Sequence, residues 1–200
     1  MKNIVIIGAG DLGKEVVWLI EDINRIKPTY LISGFLDDDK KKLGREFCWY
    51  KVLGGLDQLE EISNKMHIYA VVAVKDSAVR KRIVEEHPFF KHWETIVHPR
   101  ATVASSSSIG EGSILFPNVT VSVDSKLGRF GIYYIQSTVG NDCQIGDYVT
   151  AMYASAILEH SEIADGVLLP MGSCVQPYGK LELDKDLASM GEAKKATEEQ

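Results

Sequence analysis

Hydrophobic residues recur at every sixth position through the second half of the chain. Aliphatic side chains occupy these positions at Val103, Ile109, Leu115, Val121, Leu127, Val139, Ile145, Ile157, Ile163, Leu169, Val175 and Leu181. Only Tyr133 and Ala151 interrupt the series. A period of six fits neither an α-helix nor a flat strand. It is typical of a parallel β-helix, in which three hexads form one triangular coil of eighteen residues.

The first hundred residues follow a different pattern, in which apolar runs alternate with amphipathic segments. Apolar strands are predicted at 4–7, 30–36, 69–74 and 95–97. Helices are predicted at 14–26, 56–63 and 78–87. Strands that alternate with helices indicate a parallel sheet covered by those helices.

The two patterns divide the chain. We expect a Rossmann-like α/β domain at residues 1–97, a parallel β-helix at 98–188 and a C-terminal tail at 189–200. Within the β-helix, Tyr133 and Tyr134 stand where an aliphatic and a small residue are expected. We interpret this pair as a contact between chains, the alternative being a bulge or a ligand-facing wall.

Composition narrows the classes of partner. The 200 residues are 45% hydrophobic, enough for a buried core, and the net charge of −6 argues against nucleic acid or an anionic membrane. The N-terminus has neither a long apolar segment nor a cleavage site, which predicts a cytoplasmic protein. The three cysteines have no metal-ligand spacing, and we expect no metal.

A glycine motif lies between the first strand and the first helix. Gly8, Gly10 and Gly13 have the spacing of a dinucleotide fingerprint, which lets backbone approach a pyrophosphate at a helix N-terminus. An acidic run at 37–39 follows the second strand, where a ribose would be bound. The domain is shorter than a full NAD-binding fold, so one mononucleotide half fits better. The alternatives are glycines that only allow tight packing and an acidic run that is a solvated turn.

The order of several motifs makes the chain resemble one known group. The motifs are GAGDLGKEV at 8–16, GFLDDD at 34–39, VLGGL at 52–56, IVHP at 96–99 and the hexads. Together they resemble the sugar O- and N-acyltransferases of the sialic-acid O-acetyltransferase type. That group includes acetyltransferases that act on UDP-linked amino sugars.

The resemblance implies a substrate site and an assembly. The N-terminal domain would bind a nucleotide sugar, the β-helix would be left-handed, and three chains would assemble side by side. Acyl-CoA, taken to be acetyl-CoA, would lie in the groove between neighbouring β-helices. The implied substrate-binding residues are Gly8, Gly10, Leu12, Asp37, Asp38, Gly54 and Gly55.

The implied acyl-CoA contacts lie at two places. Members end with a segment that packs near CoA, and Gly191, Ala193 and Lys194 match it, whereas Glu192 replaces its proline. A second histidine of the group, placed to bond the thioester carbonyl, corresponds to Thr150.

The catalytic position departs from the group. Members carry a histidine as general base, followed by an acidic residue, and the matching residues here are Asn141 and Asp142. An amide cannot accept a proton at neutral pH, whereas an imidazole can. Because one coil is eighteen residues, residue 159 lies above Asn141 and His160 lies beside that column, with its side chain expected to turn elsewhere.

Three interpretations of this departure stay open. Asp142 or His160 supplies the base; or the reaction proceeds without a strong base, helped by proximity; or the chain keeps the fold and ligand binding without catalysis. The sequence thus predicts an acyl-CoA-dependent transferase that acts on an amine or hydroxyl of a nucleotide-linked or activated sugar for surface-glycan synthesis. The alternatives are an impaired relative that binds a sugar nucleotide and a small NAD-dependent oxidoreductase on a structural rod.

Overall fold

The fold is taken from a computed structural model, which describes residues 1–183. Gly191, Ala193 and Lys194, together with the predicted tail at 189–200, lie outside the described residues. Within the described part of the chain, no helix is both long and apolar enough to cross a membrane.

The first domain is a five-stranded sheet with helices between its strands. Its strands are β1 (Lys2–Ile7), β2 (Tyr30–Leu36), β3 (Glu46–Phe47), β4 (Tyr50–Gly54) and β5 (Tyr69–Val72). Its helices are α1 (Asp11–Ile26), α2 (Gln58–Lys65) and α3 (Ser77–Glu86). The spatial order is β3-β4-β2-β1-β5, and only the β3–β4 pair is antiparallel. The Rossmann-like prediction is confirmed, with the fully buried end of β1 between β2 and β5.

The second half of the chain stacks two-residue strands into three five-stranded parallel sheets. The sheet that we name the covered face comprises Ile96–Val97, Ile114–Leu115, Ile132–Tyr133, Thr150–Ala151 and Leu168–Leu169. The threonine face comprises Thr102–Val103, Thr120–Val121, Thr138–Val139, Ala156–Ile157 and Cys174–Val175. The charged face comprises Ser108–Ile109, Lys126–Leu127, Gln144–Ile145, Glu162–Ile163 and Lys180–Leu181.

Paired residues on these faces are eighteen apart, as the hexads predict. This register confirms the parallel β-helix, and the stacked sheets are consistent with a left-handed coil.

The two interruptions of the hexad series lie next to each other in the folded chain. Tyr133 pairs in register with Ala151, and both side chains are buried inside the coil. A large residue in one coil is therefore accommodated by a small one in the next. Tyr134 is also fully buried, stacked on Phe116 at a ring distance of 4.9 Å and packed beside Tyr153. The interpretation of Tyr133 and Tyr134 as a contact between chains is therefore wrong, because both rings are enclosed within one chain.

The first domain packs on the covered face. The strand predicted at 95–97 is found at Ile96–Val97, where it pairs with Ile114–Leu115 and starts the β-helix. Ile114, Ile132 and Thr150 point out of the coil on this face and are buried. The division into residues 1–97 and 98–188 stays a prediction.

A buried arginine joins the two domains. Arg80 of α3 is fully buried, and its guanidinium donates hydrogen bonds of 2.7 to 3.0 Å to both halves of the molecule. The acceptors are the carbonyl oxygens of Val74, Lys75, Phe130 and Tyr148 and the hydroxyl of Thr150. Burial lowers the pKa of Arg80 to about 10, so the group is still a cation at neutral pH.

Two further side-chain contacts join helix α1 to the second half of the chain. Tyr153 donates its hydroxyl to Glu15 of α1 at 3.1 Å, across the domain junction. His98, which is buried, contacts Asp22 of α1 through Nε2 at 3.1 Å and accepts the Arg100 backbone N–H at Nδ1. Because Nδ1 accepts, Nε2 is the nitrogen that carries the proton.

Replacing Arg80 with methionine tests the importance of the buried guanidinium. Arg80→Met keeps most of the side-chain volume but leaves several buried carbonyl oxygens without a donor, each costly to leave unbonded. We expect the free energy of unfolding to fall by about 3 kcal/mol. Urea denaturation measures it, with Arg82→Met on the exposed side of the same helix as the control. Equal losses in the two variants would contradict the role of Arg80.

Candidate functional site

The glycine motif forms a tight turn at the carboxyl end of β1. Gly8 has φ +103°, and a Cβ atom there would lie 2.7 Å from the carbonyl oxygen of Ala73, just beyond β5. A Cβ at Gly13 would lie 2.1 Å from the Gly8 carbonyl oxygen. Both glycines are thus required by close backbone approach. The turn lies where β1 has β2 on one side and β5 on the other, which is the usual ligand crevice of such sheets.

The first turn of α1 offers backbone donors to a ligand. Gly10 is its N-cap residue and provides no side-chain cap, and the space at its Cβ position is open. The N-terminus of a 16-residue helix without a cap favours an anionic group. Leu12, by contrast, is buried in the core, so only its backbone can face the crevice.

Asp37 holds the glycine turn in place. Its Oδ2 accepts the Ala9 N–H at 2.8 Å and the Lys42 ammonium at 2.8 Å, and its Oδ1 accepts the Asp39 N–H at 2.9 Å. Partial burial by itself would raise the pKa of Asp37, but the Lys42 ammonium and the two N–H donors outweigh it and hold that pKa below its usual range. The carboxylate predicted to reach a ribose is therefore already bonded within the protein.

A cavity of about 690 Å³ opens beside Asp37, between the loop after β2 and the end of β4. Its lining residues are Asp37, Asp38, Lys40, Leu43, Leu53, Gly54, Gly55, Asp57 and Gln58. Asp38 accepts the Leu56 N–H at 2.8 Å through one oxygen, and the Asp37 N–H bonds to the Gly54 carbonyl at 2.9 Å. Four of the predicted substrate-binding residues thus line one cavity. Its wall combines apolar leucines with polar side chains, which is a composition that suits a nucleoside.

The predicted catalytic residues lie together at a corner of the β-helix, between the threonine face and the charged face. The Asn141 side-chain amide donates to Asp142 Oδ2 at 2.8 Å. His160 belongs to the next coil, where its backbone N–H bonds to the Asn141 carbonyl at 2.9 Å. Its Nδ1 lies 3.9 Å from the same Asp142 Oδ2. His160 therefore stands over Asp142, eighteen residues away, in the column next to that of Asn141.

Two neighbours complete this corner. The ring of Tyr178, one further coil along, stacks on His160 at 4.7 Å with an interplanar angle of 11°. Cys143 is buried, and its thiol donates to the Leu158 carbonyl at 3.1 Å. Burial raises the pKa of the Cys143 thiol, so Cys143 is unsuited to act as a nucleophile at neutral pH.

Thr150 lies elsewhere. It is on the covered face, buried beneath the first domain, and its hydroxyl accepts a hydrogen bond from Arg80 at 3.0 Å. This placement speaks against the acyl-CoA contact predicted for it, because the hydroxyl is enclosed within the chain.

Sequence reasoning missed Arg80, Tyr153 and Tyr178. Tyr178 could have been found, because it lies eighteen residues after His160 and thirty-six after Asp142. A weaker signal existed for Arg80, which shares a helix face with the buried Ile83 three residues later. The bond from Tyr153 to Glu15 spans 138 residues and has no local signal.

Replacing Asp37 tests whether its carboxylate organises the glycine turn. We expect Asp37→Asn to lower the free energy of unfolding by about 1–2 kcal/mol at pH 7, since a charge-assisted acceptor is lost. The pKa of Asp37 is lowered in the folded protein, so its contribution exists above the unfolded pKa and is lost as the pH falls through the folded value. The gap between parent and variant should therefore close below pH 3.8.

Denaturant titrations at several pH values measure that gap, with the exposed Asp39→Asn as the matched control. A gap that stays constant down to pH 2.5 would show that the carboxylate charge of Asp37 is not what stabilises the turn.

Sequence comparison finds a similar family for the first domain. Residues 3–87 match the family model described as the PglD N-terminal domain. Over 117 residues the chain is 29% identical to the UDP-N-acetylbacillosamine N-acetyltransferase of Bacillus subtilis (strain 168), an alignment that covers 58% of this chain and 51% of that enzyme. The chain thus spans about half the length of this curated relative.

Solved structures share this two-part architecture over most of the chain. The acetyltransferase domain of PglB from Neisseria gonorrhoeae FA1090, in complex with acetyl coenzyme A, superposes with a TM-score of 0.77 at 26% identity, covering 88% of this chain and 82% of that chain. WeeI from Acinetobacter baumannii AYE superposes with a TM-score of 0.66 at 28% identity, covering 88% and 81%. The resemblance seen in the motifs is confirmed: the first domain is similar to the PglD N-terminal domain, and the chain has the fold of the acetyltransferases with which it aligns.

Proposed function

We propose that this protein transfers an acetyl group from acetyl-CoA to an amine or hydroxyl of a nucleotide-linked sugar, in the synthesis of a surface glycan. The observation that carries the proposal is the likeness to the PglB acetyltransferase domain, which extends over 88% of the chain and thus includes both domains. The Bacillus subtilis relative, named for N-acetyl transfer to a UDP-linked sugar, agrees with this reaction class. The cytoplasmic location predicted from the sequence is part of the proposal.

Two parts of the proposed substrate, its diphosphate and its nucleoside, match features of the first domain. The uncapped N-terminus of α1, next to Gly8 and Gly10, suits a diphosphate, because backbone N–H groups and the helix dipole favour negative charge there. The cavity beside Asp38, Gly54 and Gly55 suits the nucleoside. In this arrangement Asp37 fixes the turn that holds the diphosphate, and Asp38 is the carboxylate with an oxygen left for the nucleoside.

We further propose that the chain forms a homotrimer through the threonine face. The outward side chains of this face are Thr102, Thr120, Thr138, Ala156 and Cys174, which are small and uncharged. Those of the charged face are Ser108, Lys126, Gln144, Glu162 and Lys180. Because charged residues are depleted at the core of interfaces between proteins, the threonine face suits contact with a second copy. The corner that carries Asn141 and Asp142 borders this face, so acetyl-CoA bound between chains would reach it.

Ligand binding and turnover test the proposed reaction. Acetyl-CoA at about 1 mM should stabilise the fold by about 4 kcal/mol if it binds with micromolar affinity, which differential scanning fluorimetry detects as a rise in melting temperature. Incubation with acetyl-CoA and a panel of UDP- and GDP-linked amino sugars should release free CoA and yield an acetylated sugar, which mass spectrometry identifies.

The outcomes separate the candidate functions. Stabilisation by a sugar nucleotide without stabilisation by acetyl-CoA would favour the impaired relative, which the comparisons do not support. Stabilisation by NADH alone would favour the oxidoreductase. Either result would contradict acetyl transfer.

A charge on the threonine face tests the assembly. Thr138→Lys places an ammonium at the centre of the proposed interface, and we expect the mass from light scattering to fall from three chains of 22.2 kDa towards one. Gln144→Lys, the same change on the charged face, is the control. A parent of monomer mass, or a Thr138→Lys variant of unchanged mass, would contradict the trimer.

A further inference from the structure

We infer that His160 is the general base of the proposed acetyl transfer, with Asp142 as the residue that orients it. The inference rests on the proposed function and assigns its proton transfer to a side chain one coil away from the expected position. It resolves the choice that Asn141 leaves open, because Asn141 has no basic atom at neutral pH.

The geometry places an imidazole next to a carboxylate on an accessible corner. His160 Nδ1 lies 3.9 Å from Asp142 Oδ2, and the two side chains are 39% and 46% exposed, open enough for a substrate to approach. The Asn141 amide donates to the same Asp142 oxygen and so fixes the carboxylate beneath the ring. The structure therefore brings a histidine and an aspartate from two adjacent coils side by side, at a separation longer than a hydrogen bond. Such contacts in acid–base sites often shorten only when the substrate binds.

The backbone and the stacking partner restrict the ring. His160 has φ +58°, the left-handed conformation that recurs at the corners of this β-helix. Asp142 below it and Tyr178 above it have φ values of +57° and +61°, so the three side chains leave equivalent corners in register. Tyr178 covers one face of the imidazole and limits its rotation.

The surroundings of the ring are acidic. In the described part of the chain, the titratable groups around His160 are Asp142 in the coil below, Tyr178 in the coil above and Glu159 beside it along the chain, with Asp124 one coil beyond Asp142 at the same corner. The carboxylate beside Nδ1 favours the tautomer with its proton on that nitrogen. The lone pair of Nε2 is then free for the substrate.

With an amine acceptor, one proton passes from the attacking nitrogen to the departing sulfur. The amine nitrogen attacks the thioester carbonyl carbon of acetyl-CoA, and Nε2 of His160 takes one proton from that nitrogen as the N–C bond forms. The C–S bond then breaks, and the imidazolium returns the proton to the sulfur, which leaves as the thiol of CoA. The Asp142 carboxylate stabilises the transient imidazolium. A hydroxyl acceptor follows the same sequence with oxygen in place of nitrogen.

Asp142 is less suited than His160 to be the base itself. A carboxylate is a weaker base than an imidazole. One Asp142 oxygen is also occupied by the Asn141 amide. Asp142 is therefore a positioning residue in this assignment.

Steady-state kinetics of His160→Ala test the assignment, with the exposed His67→Ala of the first domain as the control. We expect kcat/KM to fall by about 10²- to 10⁴-fold in His160→Ala and to stay unchanged in His67→Ala. Added imidazole should restore part of the lost rate in His160→Ala only.

Binding data separate a lost base from a damaged fold. The rise in melting temperature with acetyl-CoA should be the same in His160→Ala and the parent. A His160→Ala variant within twofold of the parent, or a loss that imidazole does not relieve, would overturn the role of His160 and leave the proposed function standing. A parent that acetylates none of the sugar nucleotides would overturn the proposed function, and this inference with it.

Discussion

The buried guanidinium of Arg80 is the contact on which the geometry of the whole molecule depends. Two of its acceptors, the carbonyls of Val74 and Lys75, follow β5 beside the glycine turn, and two more lie on adjacent coils of the β-helix. A buried cation cannot exchange these partners for water without a large cost. The glycine turn therefore has a fixed position relative to the coils. A ligand bound at the glycine turn, as we propose, would meet the β-helix in one orientation, as positioning of reactants requires.

The eighteen-residue coil determines how chemistry is distributed over the second half. Residues eighteen positions apart in sequence are stacked in columns along the β-helix. A functional group that is missing from one coil can therefore be supplied by the next coil in the same place. The corner of Asp142, His160 and Tyr178 shows this directly, because His160 contacts Asp142 one coil before it and Tyr178 one coil after it. Reading one hexad in isolation suggests that a site is lost, whereas reading the column shows an imidazole next to the same carboxylate.

Sequence periodicity predicted the parts of the structure that repeat. It failed at positions whose conformation depends on a single contact in the folded chain. The hexads predicted the β-helix and its register, because each anchor must point inwards in every coil. The glycine spacing predicted the turn at Gly8, where backbone proximity leaves no room for a side chain. Tyr133 was misinterpreted because its accommodation depends on Ala151, a residue next to it only in the folded chain. The contacts of Asp37 with backbone N–H groups could not be predicted, since any residue offers such a donor.

The strict register also limits how this half of the molecule can change its length. Each strand residue of the β-helix pairs with the residue eighteen positions later. An insertion of one or two residues would therefore move all later side chains off their columns. An added or deleted segment of one whole coil would keep every column aligned. Natural or engineered variation in the size of the β-helix should thus proceed in whole coils, as in other solenoids whose unit is the repeat.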